Sequence, residues 1–221
     1  MTKPVLIKIC GNTSVEDALM AERAGANYLG VIVEHAPSPR QVDLAQAQRI
    51  RAAVSLPVVA VTVNLPLERL LHIHEVMQPA AFQLHGDESP ELVRQLKTHG
   101  ITVWGVASGD TAFVRQRALD LSEAGADVIQ VDARHESANG TIYGGTGQIS
   151  DWQLARELVE RGLRINLAGG LTPENVAEAI NTVQPWMVDV VSGVEARKGV
   201  KDGEKVRKFI ENAALIPSSS A

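Results

Sequence analysis

Short runs rich in β-branched residues recur along this chain, and a helical pattern follows each of them. The strand runs lie at 5–10, 28–33, 58–63, 80–84, 102–106, 128–132, 164–167 and 187–191, and the spacing predicts helices near 14–25, 43–54, 66–77, 88–99, 111–124, 151–161, 173–183 and 202–213. When a helix separates each strand from the next, neighbouring strands pair in parallel, and eight such units close into a cylinder. The fold class implied is α/β, a single (β/α)8 TIM barrel. Apolar spacing is poorest over 111–124. An open doubly wound sheet is the structural rival, but the G-x-G-x-x-G turn it would carry near the N-terminus is absent. At 221 residues, 45% of them hydrophobic, the chain is near the lower size limit for this barrel. We therefore expect residues 1–214 to form one catalytic barrel domain and 215–221 a disordered tail. A faint internal echo, Ala24-Gly25-Ala26-Asn27-Tyr28 against Ala124-Gly125-Ala126-Asp127-Val128, places a glycine where each helix should end in the left-handed conformation.

Two late segments point to a ligand. Leu167-Ala168-Gly169-Gly170-Leu171-Thr172-Pro173 and Asp189-Val190-Val191-Ser192-Gly193 each follow a strand, in the seventh and eighth units. Loops after strands seven and eight form the usual phosphate cradle of this fold. Gly169 and Gly170 let backbone approach an anion, Thr172 reads as an N-cap and Pro173 as the first helical residue, and Ser192 and Gly193 complete the site. A small phosphorylated substrate is the expected partner.

Chemistry in such a barrel sits at the C-terminal strand ends. Strand one ends at Lys8-Ile9-Cys10, whose first and last residues share a face, so an inward ammonium would favour a thiolate. A buried structural cysteine, with Lys8 pairing a core carboxylate, is the plainer reading of the same residues. Strand six ends at Asp132, before a long 133–150 connection containing Gly144-Gly145-Thr146-Gly147 that suggests a lid or binding loop. Gln83 and His85 share parity on strand four, as Gln130 and Asp132 do on strand six, so one or both pairs can face inward. Arg40 follows Ser38-Pro39 and can fork onto a carboxylate, or form a surface ion pair.

Several classes fit poorly. Acids and bases are interspersed at a net charge of -5, without the basic stripe of a nucleic-acid binder. No run is long enough to span a bilayer, and one cysteine allows no internal disulfide, so the expected setting is reducing and cytoplasmic. His72 and His74 do not share a helix face, and the other histidines lack ligand spacing, so no metal is expected. A Schiff-base lysine could only be Lys8, and Ser192-Gly193 lacks a hydrolase elbow.

Taken in order along the chain, Lys8-Ile9-Cys10-Gly11, Glu16-Asp17-Ala18, Ser38-Pro39-Arg40, Gln83-Leu84-His85-Gly86, Asp132, Gly144-Gly145-Thr146-Gly147, Leu167-Ala168-Gly169-Gly170-Leu171 with Pro173-Glu174-Asn175, and Ser192-Gly193-Val194-Glu195 with Gly199 and Lys201-Asp202 resemble the phosphoribosylanthranilate isomerase family of tryptophan biosynthesis. The resemblance covers Lys8 to about Phe209. It implies a cofactor-free Amadori rearrangement with Asp132 as general acid, Cys10 as general base and Arg40 on the anthranilate carboxylate. Lys8, His85 and Asp189 would be substrate-binding, and Gly169, Gly170, Ser192 and Gly193 phosphate-binding. It also implies a bell-shaped pH profile, with the environment raising Asp132 and depressing Cys10. Monomer and homodimer both suit the family. The chain departs from the pattern at its aromatic end. Phenylalanine is common where it has Val31-Ile32-Val33-Glu34-His35, Val61-Thr62-Val63-Asn64 and Ser150-Asp151-Trp152, and lysine where Gly105 stands. The same isomerisation on another phosphorylated aminosugar, or a non-catalytic phosphate-binding barrel, are the alternatives.

Overall fold

In the computed structural model, which describes residues 4–137, 140–143 and 150–214, eight parallel strands form a closed cylinder inside a ring of helices. The strands are β1 (Leu6–Ile9), β2 (Tyr28–Val33), β3 (Val58–Thr62), β4 (Ala81–Leu84), β5 (Val103–Ser108), β6 (Val128–Asp132), β7 (Ile165–Leu167) and β8 (Met187–Val190). Each pairs with the next, and β1 closes the ring onto β8 through Lys8↔Asp189 and onto β2 through Lys8↔Tyr28. The helices are α1 (Val15–Ala24), α2 (Leu44–Ala53), α3 (Leu67–Met77), α4 (Pro90–Thr98), α5 (Thr111–Glu123), α6 (Trp152–Glu160), α7 (Val176–Val183) and α8 (Gly203–Ala214). Residues 215–221 lie outside the described residues, as does the Gly144-Gly145-Thr146-Gly147 stretch.

Side-chain parity divides each strand between two cores. Outward residues such as Ile7, Ile9, Leu29, Val31, Phe82, Leu84, Ile129 and Val131 meet the helices. Inward residues at the N-terminal strand ends, Val59, Ala81, Trp104, Val128 and Met187, pack with Leu6, Tyr28 and Trp186 into a floor. Its rings touch, with Tyr28 and Trp104 centroids 5.4 Å apart and Trp104 and Trp186 6.1 Å apart. Above the floor, Lys8, Gln83, Gln130, Asn166 and Asp189 form a buried polar layer.

Caps set the helix starts: Ser14, Asp43, Ser89, Asp110 and Asp151 each accept a hydrogen bond from a first-turn N–H. Gly25 ends α1 at φ 101°, and Gly125 follows α5 at φ 97°, as the echo predicts. The poorly patterned 111–124 stretch is a regular 13-residue helix. Val114, Ala118 and Leu121 make its buried stripe, and the exposed Phe113 is what blurs the periodicity. The regular part of α7 begins at Val176, later than expected, although Thr172 Oγ1 does accept from the Glu174 N–H at 3.2 Å as a cap would. Asn175 explains the delay, because its Oδ1 accepts from the Thr172 N–H at 2.8 Å and its Nδ2 donates to the Gly170 carbonyl at 2.9 Å. Part of the 133–150 connection is an antiparallel ribbon, Arg134–Ser137 with Gly140–Tyr143. A second ribbon, Glu195–Arg197 with Val200–Lys201, follows β8 and a 3₁₀ turn at Ser192–Val194.

Candidate active site

The C-terminal end of the cylinder opens into a cavity with about 700 Å³ of empty space out to solvent. Strands β1, β4, β6 and β8 send Cys10, His85, Asp132 and Asp189 to its wall, and the loops after β7 and β8 contribute Gly169, Gly170, Leu171 and Ser192. Cys10 and Asp132 thus face one space. Both are almost completely buried.

The polar layer beneath fixes their surroundings. Lys8 Nζ donates to Asp189 Oδ2 at 2.7 Å and to Gln83 Oε1 at 2.9 Å. With its oxygen so engaged, Gln83 turns its amide NH₂ to His85 Nδ1, 2.9 Å away. That nitrogen therefore accepts, and the neutral ring carries its proton on Nε2, 3.4 Å from Asp132 Oδ2. On the other side, Asn166 Nδ2 donates to Gln130 Oε1 at 2.7 Å, which aims Gln130 Nε2 at Asp132 Oδ2, 3.3 Å away. Asp132 Oδ1 takes the Ala133 N–H at 2.7 Å. Both inward pairs, Gln83 with His85 and Gln130 with Asp132, therefore serve one network. Asn166 joins it from β7, where only the inward parity of a single polar residue marks it in the sequence.

Lys8 and Cys10 do share the inner face of β1, but the electrostatics differ from expectation. Burial pushes the Cys10 thiol above its ordinary range; Lys8 pulls it back, Asp189 raises it again, and Lys201 lowers it. Burial outweighs the nearby cations, so the resting group is a thiol rather than a thiolate. Burial also works against the Lys8 ammonium, but Asp189 and Cys10 more than offset it and hold it above its usual value. In Asp189, burial raises the carboxyl against the pull of Lys8. Among the described residues its Oδ1 is buried without a hydrogen-bond partner.

Arg40 lines the cavity, but its Nε and Nη2 each donate to Glu195 at 2.8 Å. Its fork is therefore closed on a protein carboxylate in a buried pair, neither on a ligand nor at the surface. The Nη1–Nη2 edge is left outside that pair. Gly193, expected at the phosphate, is not in the cavity wall. A Cβ there would collide with the Leu171 carbonyl oxygen, so the glycine instead allows the β8 loop to lie against the β7 loop. Gly105 faces outward, where a Cβ would meet Leu121 of α5 at 2.9 Å, so it is not an interior position missing a lysine. The apolar wall is aliphatic, made by Ile32, Val61 and Val63, with His35 beside them. No group of three or more His, Cys, Asp or Glu side chains among the described residues is placed to hold a metal ion. No helix among them is long and apolar enough to cross a membrane.

Fold and site together define a (β/α)8 barrel enzyme with a thiol and a carboxyl group over two glycine loops at its C-terminal mouth. The family model for N-(5'-phosphoribosyl)anthranilate (PRA) isomerase matches residues 7–212. An N-(5'-phosphoribosyl)anthranilate isomerase of Trichlorobacter lovleyi is 40% identical over 211 residues, covering 95% of this chain and 98% of its own. The crystal structure of phosphoribosyl anthranilate isomerase from Thermotoga maritima superposes with a TM-score of 0.84 at 36% identity, covering 95% of this chain and 98% of that one. A phosphoribosyl anthranilate isomerase solved in complex with reduced 1-(o-carboxyphenylamino)-1-deoxyribulose 5-phosphate gives 0.81 at 34% identity, with the same coverage. The chain belongs to the N-(5'-phosphoribosyl)anthranilate isomerase family.

Proposed function

We propose that this barrel converts N-(5-phosphoribosyl)anthranilate to 1-(o-carboxyphenylamino)-1-deoxyribulose 5-phosphate, with Asp132 as general acid and Cys10 as general base. One observation carries the reading: the thiol of β1 and the carboxyl of β6 face the same cavity, above the glycine loops of β7 and β8. Asp132 gives its proton to the furanose ring oxygen as the C1–O bond breaks, leaving a protonated Schiff base between C1 and the amine. Cys10 removes the C2 proton, and the electron pair shifts to neutralise the nitrogen and form an enolamine. Tautomerisation places the ketone at C2 and returns a proton to C1, so atoms and electrons balance without a cofactor.

The side chains suit these tasks. Asp132 Oδ1 is tied to a backbone N–H at 2.7 Å, whereas the 3.3 and 3.4 Å contacts at Oδ2 are long enough to give way to a substrate oxygen. The buried Asp189 Oδ1 offers an acceptor to a substrate hydroxyl or amine. His85, positioned through Gln83 and Lys8, meets the sugar from β4. The remaining Arg40 edge anchors the anthranilate carboxylate, with Ile32, Val61 and Val63 against the ring. Gly169, Gly170 and Ser192 offer backbone to the phosphate, and Gly193 holds their loops together.

Freshly prepared N-(5-phosphoribosyl)anthranilate supplies the test, through loss of its fluorescence. Cys10→Ala and Asp132→Asn each abolish turnover while inorganic phosphate still binds. Unchanged turnover in either variant refutes that residue's role. A wild-type enzyme that binds phosphate without consuming this substrate refutes the choice of amine.

A further inference from the structure

A carboxylate at the mouth of the barrel is buried without a part in the chemistry described so far. Glu88 lies between β4 and α4 and is 5% exposed. Its two oxygens are divided between two loops. Oε1 accepts the Asn64 N–H, just past β3, at 2.7 Å, and Oε2 accepts the Gly86 N–H, just past β4, also at 2.7 Å. Each of those residues directly follows a residue of the cavity wall, Val63 in one loop and His85 in the other. Other bonds lock the same joint. The His85 N–H donates to the Thr62 carbonyl at 2.8 Å, and Asn64 Oδ1 accepts the Asp87 N–H at 2.8 Å. From α5, Arg117 donates to the Gly86 carbonyl at 3.0 Å and to the Glu88 carbonyl at 3.2 Å, so the loop that carries the carboxylate is anchored from outside the cylinder. Gly86 has no room for a side chain, because a Cβ there would overlap Asn64 Oδ1.

We propose that Glu88 is a positioning residue, whose carboxylate clasps the ends of β3 and β4 and so sets the spacing of Val63 and His85 in the wall that meets the substrate. The inference rests on the proposed function for what that wall meets, and on the two hydrogen bonds for the clasp itself. The geometry calls for a carboxylate. Two N–H donors converge from different strands, and an ionised carboxyl offers an acceptor to each, whereas an amide offers one and turns its own NH₂ on the other. Burial raises the Glu88 carboxyl above its ordinary range, while the backbone N–H groups of Asn64, Glu88 and Gly86 and the His85 ring pull it back. A neutral amide removes the cost of burying a charge, so Glu88→Gln releases one loop without unfolding the barrel.

The experiment compares wild type, Glu88→Gln and Glu88→Asp, well below their thermal midpoints, in the fluorescence assay and with inorganic phosphate as inhibitor. Val63 methyl and His85 ring resonances of the free enzymes, assigned with Val63→Ala and His85→Asn, report the wall directly. In Glu88→Gln, KM rises about tenfold with kcat within about threefold, the mark of lost uniform binding. The phosphate inhibition constant stays put, and both sets of resonances move. Glu88→Asp keeps the charge but is one methylene too short to span both N–H groups, and it shows the same split. An unmoved KM, unmoved Val63 and His85 resonances, or a phosphate constant that rises in step with KM overturns the proposal. Should Glu88→Gln fail to fold, an unmoved KM in Glu88→Asp overturns it. If wild type does not consume N-(5-phosphoribosyl)anthranilate, the choice of substrate fails, and the resonances alone decide whether the clasp stands.

Discussion

Replacing Gly30 with alanine adds one methyl group at the place where this site has no room for it. Gly30 faces the interior from β2, alongside Lys8 and Cys10 on β1. A Cβ there would overlap the Cys10 sulfur and stand 3.0 Å from both Cys10 Cβ and Lys8 Cε. The backbone is poorly placed to yield. β1 and β2 are paired at Ile9↔Leu29, and the Gly30 carbonyl accepts from the Asn12 backbone N–H at 3.0 Å and from its side-chain amide at 3.1 Å. The thiol therefore moves instead, by about 1 Å, to regain ordinary van der Waals separation. Overpacking of this kind costs about 1–3 kcal/mol, which a domain of ordinary stability survives. A reacting group misplaced by about 1 Å costs on the order of 100-fold in rate. The expected result for Gly30→Ala is a folded protein with a lowered thermal midpoint, near-normal affinity for inorganic phosphate, and kcat reduced about 100-fold in the fluorescence assay. A folded variant with kcat within roughly threefold of wild type would falsify the placement of the base at Cys10.

Other substitutions separate the parts of the site. Gly193→Ala drives a methyl group into the Leu171 carbonyl and to 3.2 Å from Thr172 Cα, so the two phosphate loops part. KM and the inhibition constant of inorganic phosphate should each rise about tenfold with kcat less affected, and an unchanged phosphate constant argues against a cradle there. Lys8→Met leaves Asp189 buried without its cation and should lower stability by about 3–5 kcal/mol in urea unfolding; a loss below about 1 kcal/mol would mean that the pair is neutral in the folded protein. Burial raises Cys10, so the basic form is scarce at neutral pH and grows as pH rises. The thiolate absorbance of the free enzyme should therefore rise only toward and beyond the ordinary thiol range near about 8.5, and a thiol midpoint at or below neutrality would contradict that direction.

Strand positions were legible because inward and outward residues alternate even where both faces are apolar. β2 and β6 have the predicted bounds, 28–33 and 128–132. The same alternation placed Lys8 with Cys10, Gln83 with His85 and Gln130 with Asp132 without any knowledge of their partners. Pairings across the closed ring were not legible. Arg40 and Glu195 are 155 positions apart, and only closure of the cylinder brings the second ribbon against the loop after β2. The α7 start failed for a local reason. Thr172 accepts from the Glu174 N–H as its composition suggests, but Asn175 bonds back to the Thr172 N–H and the Gly170 carbonyl, a tie that composition does not show. The thiol was misjudged because a neighbouring ammonium is visible in sequence, whereas its neutralisation by Asp189 and the depth of burial are not.

The low aromatic content takes on a different meaning once the barrel's layers are known. Aromatic residues make up 4% of the chain, and Tyr28, Trp104 and Trp186 stand together in the floor. There they close the narrow end and support the polar layer, with Lys8 Nζ 6.0 Å from the Trp104 ring centroid. The mouth is left with Ile32, Val61 and Val63, side chains that can flank a planar ring without filling the space needed by a phosphosugar. An aliphatic wall gives contact without the geometric preference of stacked rings. Under the proposed function, orientation of the substrate then falls to its charged ends, through Arg40 and the β7 and β8 loops. Both sides meet the same buried group: Glu195 fixes Arg40 and contacts Lys201, and Lys201 holds Val191 beside the phosphate loop. One carboxylate thus links the loop after β2 to the ribbon and loop after β8.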